Sequence, residues 1–196
     1  MKTFNDLILR SRSVRRFVES ERLTQALLKQ LVDMARLAPS GGNKQPLKYV
    51  LSCEPRRNEA VFSCLAWAGY LTGWAGPAEG ERPAAYIVVL GDTTIAKDVD
   101  CDAGIAAQTI LLGVADLGLG GCIIGSVDRL RLRDYLSIPP HLNISLVLAL
   151  GKPAETVVLE RMKNGGVKYW RDAHGIHHVP KRSLSDVLVK LGGLDV

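Results

Sequence analysis

Residues 104–125 read GIAAQTILLGVADLGLGGCIIG, the most apolar stretch of the chain. A membrane span is one way to read it, but Gln108, Thr109 and Asp116 lie inside it. An aspartate near the centre of a bilayer costs roughly 2.5–3.5 kcal/mol, so the stretch reads instead as a buried helix followed by a short strand. Gly118 and Gly120 end the helix, and Cys122–Ile124 form the strand. The run Gly118-Leu119-Gly120-Gly121-Cys122-Ile123-Ile124-Gly125 superficially matches a dinucleotide fingerprint. That fingerprint needs strand, glycine loop and helix in that order, and here the helix comes first. A Rossmann site is therefore excluded, and glycines in this position would instead let backbone pass close to a planar ligand.

Working outward, apolar periodicity alternates between helical and extended segments. Phe4–Leu9 and Thr24–Leu37 read as helices, the second with Leu27, Leu28, Leu31, Val32 and Ala35 on one face and Thr24 as its N-cap. Pro39, Gly41 and Gly42 stop it. Lys48–Cys53 reads as a strand, Glu59–Trp67 as a helix, and the β-branched Ala84–Leu90 as a buried strand. Asp100 or Asp102 would cap the central helix. Val127–Leu136 follows as a helix and Ile144–Leu150 as a strand, with short extended pieces at Val157–Leu159 and Lys168–Trp170. A last helix spans Leu184–Leu191, capped by Ser183. Two segments, residues 67–83 and 162–182, fit no period. The first, WAGYLTGWAGPAEGERP, is long, and its aromatic residues favour an ordered lid over a flexible linker.

Composition narrows the function classes. At 196 residues and 47% hydrophobic, the chain is sized for one domain, residues 1–196, with a real core. Twenty-five Lys and Arg against 20 Asp and Glu leave +5, too mild for an arginine-rich nucleic-acid binder and suited to an anionic small ligand. Cys53, Cys64, Cys101 and Cys122 form no CxxC pair, which disfavours a zinc site or a disulfide framework and points to a reducing cytoplasm. The charged N-terminal segment does not read as a signal peptide, and no membrane association is expected.

Three constellations could carry chemistry. In Arg10-Ser11-Arg12-Ser13-Val14-Arg15-Arg16-Phe17, forked guanidinium donors flank serine hydroxyls, the equipment for a phosphate monoester; the alternative is a solvated basic helix end. In Ala38-Pro39-Ser40-Gly41-Gly42-Asn43-Lys44-Gln45-Pro46, backbone N–H groups and two amide side chains could recognise a flat heteroaromatic, or the segment is an ordinary turn. The glycine run before Gly125 is the third. His174, His177 and His178 lack the Cys or acidic partners of a metal site, so no metal is expected. An apolar setting blunts Cys122 as a nucleophile, and Ser40 lacks the strained elbow of a serine hydrolase.

Together these constellations resemble the FMN-dependent nitroreductase family. R-S-V-R-R-F, A-P-S-G-G-N-K-Q-P, G-L-G-G-C-I-I-G and A-L-G-K-P-A-E follow the family's order over residues 4–155. The resemblance implies an α+β sandwich, a mostly antiparallel sheet flanked by helices, in an intertwined homodimer with FMN sites at the interface. Carried over by position, Arg12, Ser13 and Arg15 would hold the FMN phosphate and ribityl chain, and Ser40, Gly41 and Asn43 would reach the flavin of the other subunit. Ile123, Ile124 and Gly125 would lie against the isoalloxazine, and Lys181 and Arg182 would close on the phosphate. Ser11-Arg12 replaces the two arginines that many members carry before the serine, which shifts weight to Arg15 and the C-terminal pair. The central helix, apolar nearly all round, suits a segment with one face on the core and another on a twofold mate. No catalytic side chain is expected, because hydride chemistry belongs to the flavin N5. Trp67, Tyr70 and Trp74 would wall the open flavin face, or simply pack an ordered loop. The implied activity is ping-pong reduction of a small electron-poor nitroaromatic, quinone or enone by NAD(P)H. A non-catalytic flavin-binding or redox-sensing protein and a dehalogenase variant are the alternatives.

Overall fold

Every position of the strand Ala85–Asp92 is buried, because it runs between two antiparallel neighbours and is covered on both faces. In the computed structural model, which describes residues 3–189, this strand belongs to the larger of two compact units. The first unit comprises the chain up to Trp67 together with Ala75–Ala154; the second comprises Ala68–Trp74 and the chain from Glu155 onward.

The first unit contains α1 (Phe4–Arg10), α2 (Gln25–Arg36), β1 (Leu47–Ser52), α3 (Pro55–Phe62), β2 (Ala85–Asp92), α4 (Asp100–Asp116), β3 (Gly120–Ile124), α5 (Arg129–Leu136) and β4 (Leu142–Gly151). Its sheet has the order β1-β2-β4-β3 and is antiparallel throughout. Ala85, Ile87 and Val89 of β2 meet Leu28, Leu31 and Ala35 of α2 and Ala107, Ile110 and Val114 of α4 in one core. The alternate residues Tyr86, Val88 and Leu90 are buried on the opposite face, on the side where α3 touches β2. The expected α+β arrangement, an antiparallel sheet flanked by helices, is the one observed. No helix among the described residues is long and apolar enough to cross a membrane, and no disulfide joins the four cysteines.

Several boundaries differ from expectation for local reasons. The helix expected at Glu59–Trp67 is α3, which starts earlier because Pro55 occupies the first turn, where a missing N–H costs nothing. It ends at Phe62, and Leu65 then bridges to Val127. Neither Asp100 nor Asp102 caps α4: its N-cap is Val99, without a side-chain bond, and Asp102 reaches elsewhere. Asp128 caps α5 through Arg131 N–H, so that helix begins at Arg129. Thr24 caps α2 as expected.

Gly121 shows how tightly β3 is seated. A Cβ there would lie 2.6 Å from Leu111 Cδ2, 2.8 Å from Leu150 Cδ2 and 3.0 Å from the Ala149 carbonyl oxygen. Gly121→Ala should therefore cost about 1–3 kcal/mol as an overpacking change. Denaturant unfolding checks this, and a loss below about 0.5 kcal/mol contradicts it.

The second unit holds β5 (Val157–Arg161), β6 (Trp170–Arg171), β7 (His177–Lys181) and α6 (Leu184–Val187), with sheet order β5-β7-β6. The strand β7 went unpredicted because His177-His178-Val179-Pro180-Lys181 lacks hydrophobic alternation. Ser183 is the N-cap of α6 as expected, but the helix ends at Val187, where Leu188 turns extended, short of the expected Leu191; the part of that expected helix from residue 190 onward lies outside the described residues. His178 is held between Glu160 Oε1 at 2.6 Å and Asp172 Oδ2 at 3.2 Å, and its ring stacks on Trp170 at 4.0 Å. The hydrogen bond to Asp172, and then that to Glu160, raises the His178 pKa above the ordinary histidine value. A raised folded-state value means that its stabilising contribution is complete below the unfolded pKa of about 6.5. That contribution is lost as pH climbs through the folded value. An NMR titration should place the His178 midpoint above the ordinary histidine value of about 6.5, and a midpoint at or below it contradicts the assignment.

Candidate functional site

The N-terminal motif is fixed to the sheet at Gly121. Ser13 forms a parallel bridge with Gly121, and Val14 N–H donates to the Gly121 carbonyl at 2.9 Å. Gly120 permits this approach, since a Cβ on it would lie 2.9 Å from both Val14 Cγ2 and Pro153 Cγ. Phe17, fully buried, closes the motif against Gly151. Arg16 pairs with Glu81, so this arginine of the motif serves the fold.

Arg12 behaves differently. Its Nη2 donates to the Ile8 carbonyl at 2.6 Å, at the end of α1, but its buried Nε has no hydrogen-bond partner among the described residues. Among the described residues no carboxylate pairs with it, and burial alone pulls its pKa down. A half-buried cation with an orphaned donor and no counter-ion is suited to an external anion. Ser13 beside it is exposed, and Arg15 is half-buried with Nη1 on the Ser13 carbonyl at 3.3 Å. The structure thus places Arg12, Ser13 and Arg15 next to the start of β3. Because β3 is the sheet edge, its outer side beyond that bridge offers backbone groups. Ile123 is 38% exposed, Ile124 is buried, and a Cβ on Gly125 would meet open space.

The Ser40–Gln45 loop forms a second cluster, at the opposite end of α4. Asp102, in the first turn of α4, accepts from Ser40 Oγ at 2.7 Å and from Gly41 N–H at 2.9 Å. Ser40 Oγ in turn accepts from Gln45 N–H at 3.0 Å. Gly42, Asn43 and Gln45 are all left-handed, with φ of 56°, 54° and 52°. Asn43 is exposed and its Oδ1 accepts from Gln45 Nε2 at 3.3 Å. A cleft of about 160 Å³ lies against the loop, lined among others by Pro39, Ser40, Gln45, Tyr49 and Asp102. Burial and then the Asp102 charge push the Tyr49 phenol pKa up. By position, Asp100 and Asp102 are equal candidates for a helix cap; the actual partners of Asp102 lie 62 and 61 residues away, a separation that leaves no local signal. Asp102 and Leu111, which packs on Gly121, are nine positions apart on α4, about 14 Å of helix.

The segment 67–83, expected to act as one lid, is divided between the units. Trp67 is buried in the first, with its ring 5.8 Å from that of Phe62 and a Cβ on Gly76 only 2.6 Å from its Cδ1. Its indole Nε1 has no hydrogen-bond partner among the described residues. Tyr70 and Trp74 belong to the second unit, where Tyr70 meets Tyr169 at 5.0 Å and the Arg171 guanidinium covers Trp74 at 4.7 Å. Arg171 also pairs with the buried Glu155 at 2.8 Å. Lys181 ends β7 and Arg182 follows, both exposed in the second unit. Among the described residues no three His, Cys, Asp or Glu side chains are placed to hold a metal ion.

The sequence pattern of the Nitroreductase family matches residues 8–152, most of the chain and nearly all of the first unit. The chain belongs to the nitroreductase family. A protein of Methanothermobacter thermautotrophicus named "Putative NADH dehydrogenase/NAD(P)H nitroreductase" is 30% identical over 151 residues, which cover 74% of this chain and 74% of that protein. A namesake from Archaeoglobus fulgidus is 26% identical over 159 residues, covering 76% and 84% respectively. Among solved structures, the fold is similar to a nitroreductase family protein of Streptococcus pneumoniae, with a TM-score of 0.71, 15% identity and coverage of 96% of this chain and 100% of that one.

The nitroreductase fold implies a flavin, and the residues present fit one. Arg12, whose Nε has no partner among the described residues, would suit a phosphate, and the exposed Ile123 together with Gly125, where a Cβ would meet open space, would leave room for a ring system.

Proposed function

We propose that the chain is an FMN-dependent oxidoreductase that uses NAD(P)H to reduce a small electron-poor acceptor such as a nitroaromatic, quinone or enone. The observation that carries this reading is the half-buried Arg12, with no counter-ion among the described residues, beside the β3 edge in a chain of the nitroreductase family. Arg12, Ser13 and Arg15 would bind the phosphate and ribityl chain, with Lys181 and Arg182 as further cations. Ile123, Ile124 and Gly125 would orient the ring system, a backbone N–H of this edge serving its N5. When bound, FMN supplies hydride transfer at N5, so the chain itself needs no acid–base triad. Tyr70 and Trp74 would act on acceptor choice.

The assembly we propose is a homodimer. Its support is the separation along α4 between the Arg12 cluster and the Ser40–Gln45 loop, together with the incomplete covering of α1, which buries none of its residues although Phe4 and Leu9 are apolar. The loop of one subunit would then complete the site of the other.

Steady-state kinetics test the reading. With NAD(P)H and a small quinone varied together, parallel double-reciprocal lines are expected, as the two substrates use one site in turn. Absence of quinone-dependent NAD(P)H oxidation by flavin-loaded protein contradicts the enzyme reading and favours a binding or sensing role. Light scattering should give roughly twice 21.3 kDa, and a flavin-bound monomer contradicts the shared site.

A further inference from the structure

The three residues of the Ser40–Gln45 loop expected to reach a cofactor, Ser40, Gly41 and Asn43, offer it the Ser40 hydroxyl, the Gly41 N–H and the Asn43 amide. A serine hydroxyl has one hydrogen to donate. In Ser40 that hydrogen goes to Asp102 Oδ2 at 2.7 Å, and the Gly41 N–H goes to Asp102 Oδ1 at 2.9 Å. One carboxylate therefore occupies two of the three donors. The Gln45 N–H, on the far side of the turn, is fastened to the same serine oxygen at 3.0 Å. Asn43 stands between these tie points, in a left-handed conformation that asparagine tolerates better than most residues. Its carbonyl side accepts from Gln45 Nε2, and no described residue accepts from its amide hydrogens.

We infer that Asp102 is a positioning residue that latches this loop to α4, so that Asn43, rather than Ser40 or Gly41, is the loop's donor to the bound cofactor. The inference rests on the flavin reading above. Ionised Asp102 is acceptor-only, which suits it to a hydroxyl and an N–H at once, and charge-assisted bonds of this kind are the stronger ones. The loop carries three left-handed residues, two of them not glycine, and such a conformation persists only where surrounding contacts hold it. Opening the latch would let Asn43 drift from its place while leaving the amide itself intact.

The test uses the full chain and two readouts, FMN affinity by fluorescence quenching and hydrogen exchange at the Gly41 and Gln45 amides. Asp102→Ala should speed both exchanges and weaken FMN binding about threefold to tenfold, the scale of one hydrogen bond. Asn43→Ala should weaken FMN binding to a similar extent while leaving both exchanges at the wild-type rate. The double variant should be no weaker than the worse single one, because the two residues act through one contact. Asp102→Asn, which keeps an oxygen for the Gly41 N–H, should recover part of both losses, and it serves in place of Asp102→Ala if that variant does not fold. Unchanged exchange in both Asp102 variants overturns the latch. Faster exchange with unchanged FMN affinity overturns its link to the cofactor, and so does additive loss in the double variant. Wild-type protein that takes up no FMN removes the flavin reading itself, and the inference falls with it; normal uptake with unaffected variants removes the latch alone.

Discussion

Phe17→Ala should destabilise the protein by about 3–5 kcal/mol, the scale of deleting a buried aromatic ring. Phe17 ends the arginine-serine motif, is fully buried, and has its ring against Gly151, where a Cβ would lie 2.9 Å from Phe17 Cδ1. Its N–H donates to the Glu81 carbonyl at 2.9 Å, and it bridges Pro153. The ring therefore anchors the N-terminal segment to the end of β4. For a chain of this size the midpoint of thermal unfolding should fall by about 6–20 °C. A fall of only a degree or two would mean that the segment is held by its backbone bonds, with the ring adding little.

Arg12→Ala should behave in the opposite way, with a small effect on folding and a large one on the cofactor. The fold loses one hydrogen bond to the Ile8 carbonyl, worth about 0.5–1.5 kcal/mol. The proposed phosphate contact is charge-assisted, and its loss should cost about 1.5–3 kcal/mol, or roughly tenfold to a hundredfold in FMN affinity. Lys44→Ala, in an exposed turn, should leave affinity near the wild-type value. Equal losses in the two variants would reduce the arginine cluster to a general electrostatic attraction.

The contrast between Phe17 and Arg12 shows how far the sequence could be read. Both lie in one motif of eight residues, and the motif announced a basic, anion-seeking segment. Nothing in its spacing distinguishes Arg16, committed to Glu81 across 65 residues, from Arg12, which has no counter-ion among the described residues. Long-range pairing makes that distinction, and pairing is invisible to local pattern. The central helix and the strand after it were legible because a run of small apolar residues ended by glycines leaves few alternatives. Thr24 was legible as a cap because its oxygen serves an N–H three residues on. Asp102 was not, since an aspartate in a first helical turn looks like a dipole-compensating residue whatever its side chain reaches. The segment 67–83 failed for a related reason. Its aromatic residues pack against neighbours, and which ring packs with which unit depends on Phe62, Tyr169 and Arg171, all outside it.

As proposed, this nitroreductase-family chain would bind FMN and pass electrons through it from NAD(P)H. An anaerobic titration measures this most directly. Protein loaded with FMN and freed of excess should lose its visible flavin absorption on addition of NAD(P)H, and regain it when a small quinone is added. Protein that retains no flavin absorption after incubation with FMN, or a bound flavin that NAD(P)H leaves coloured, would contradict the account.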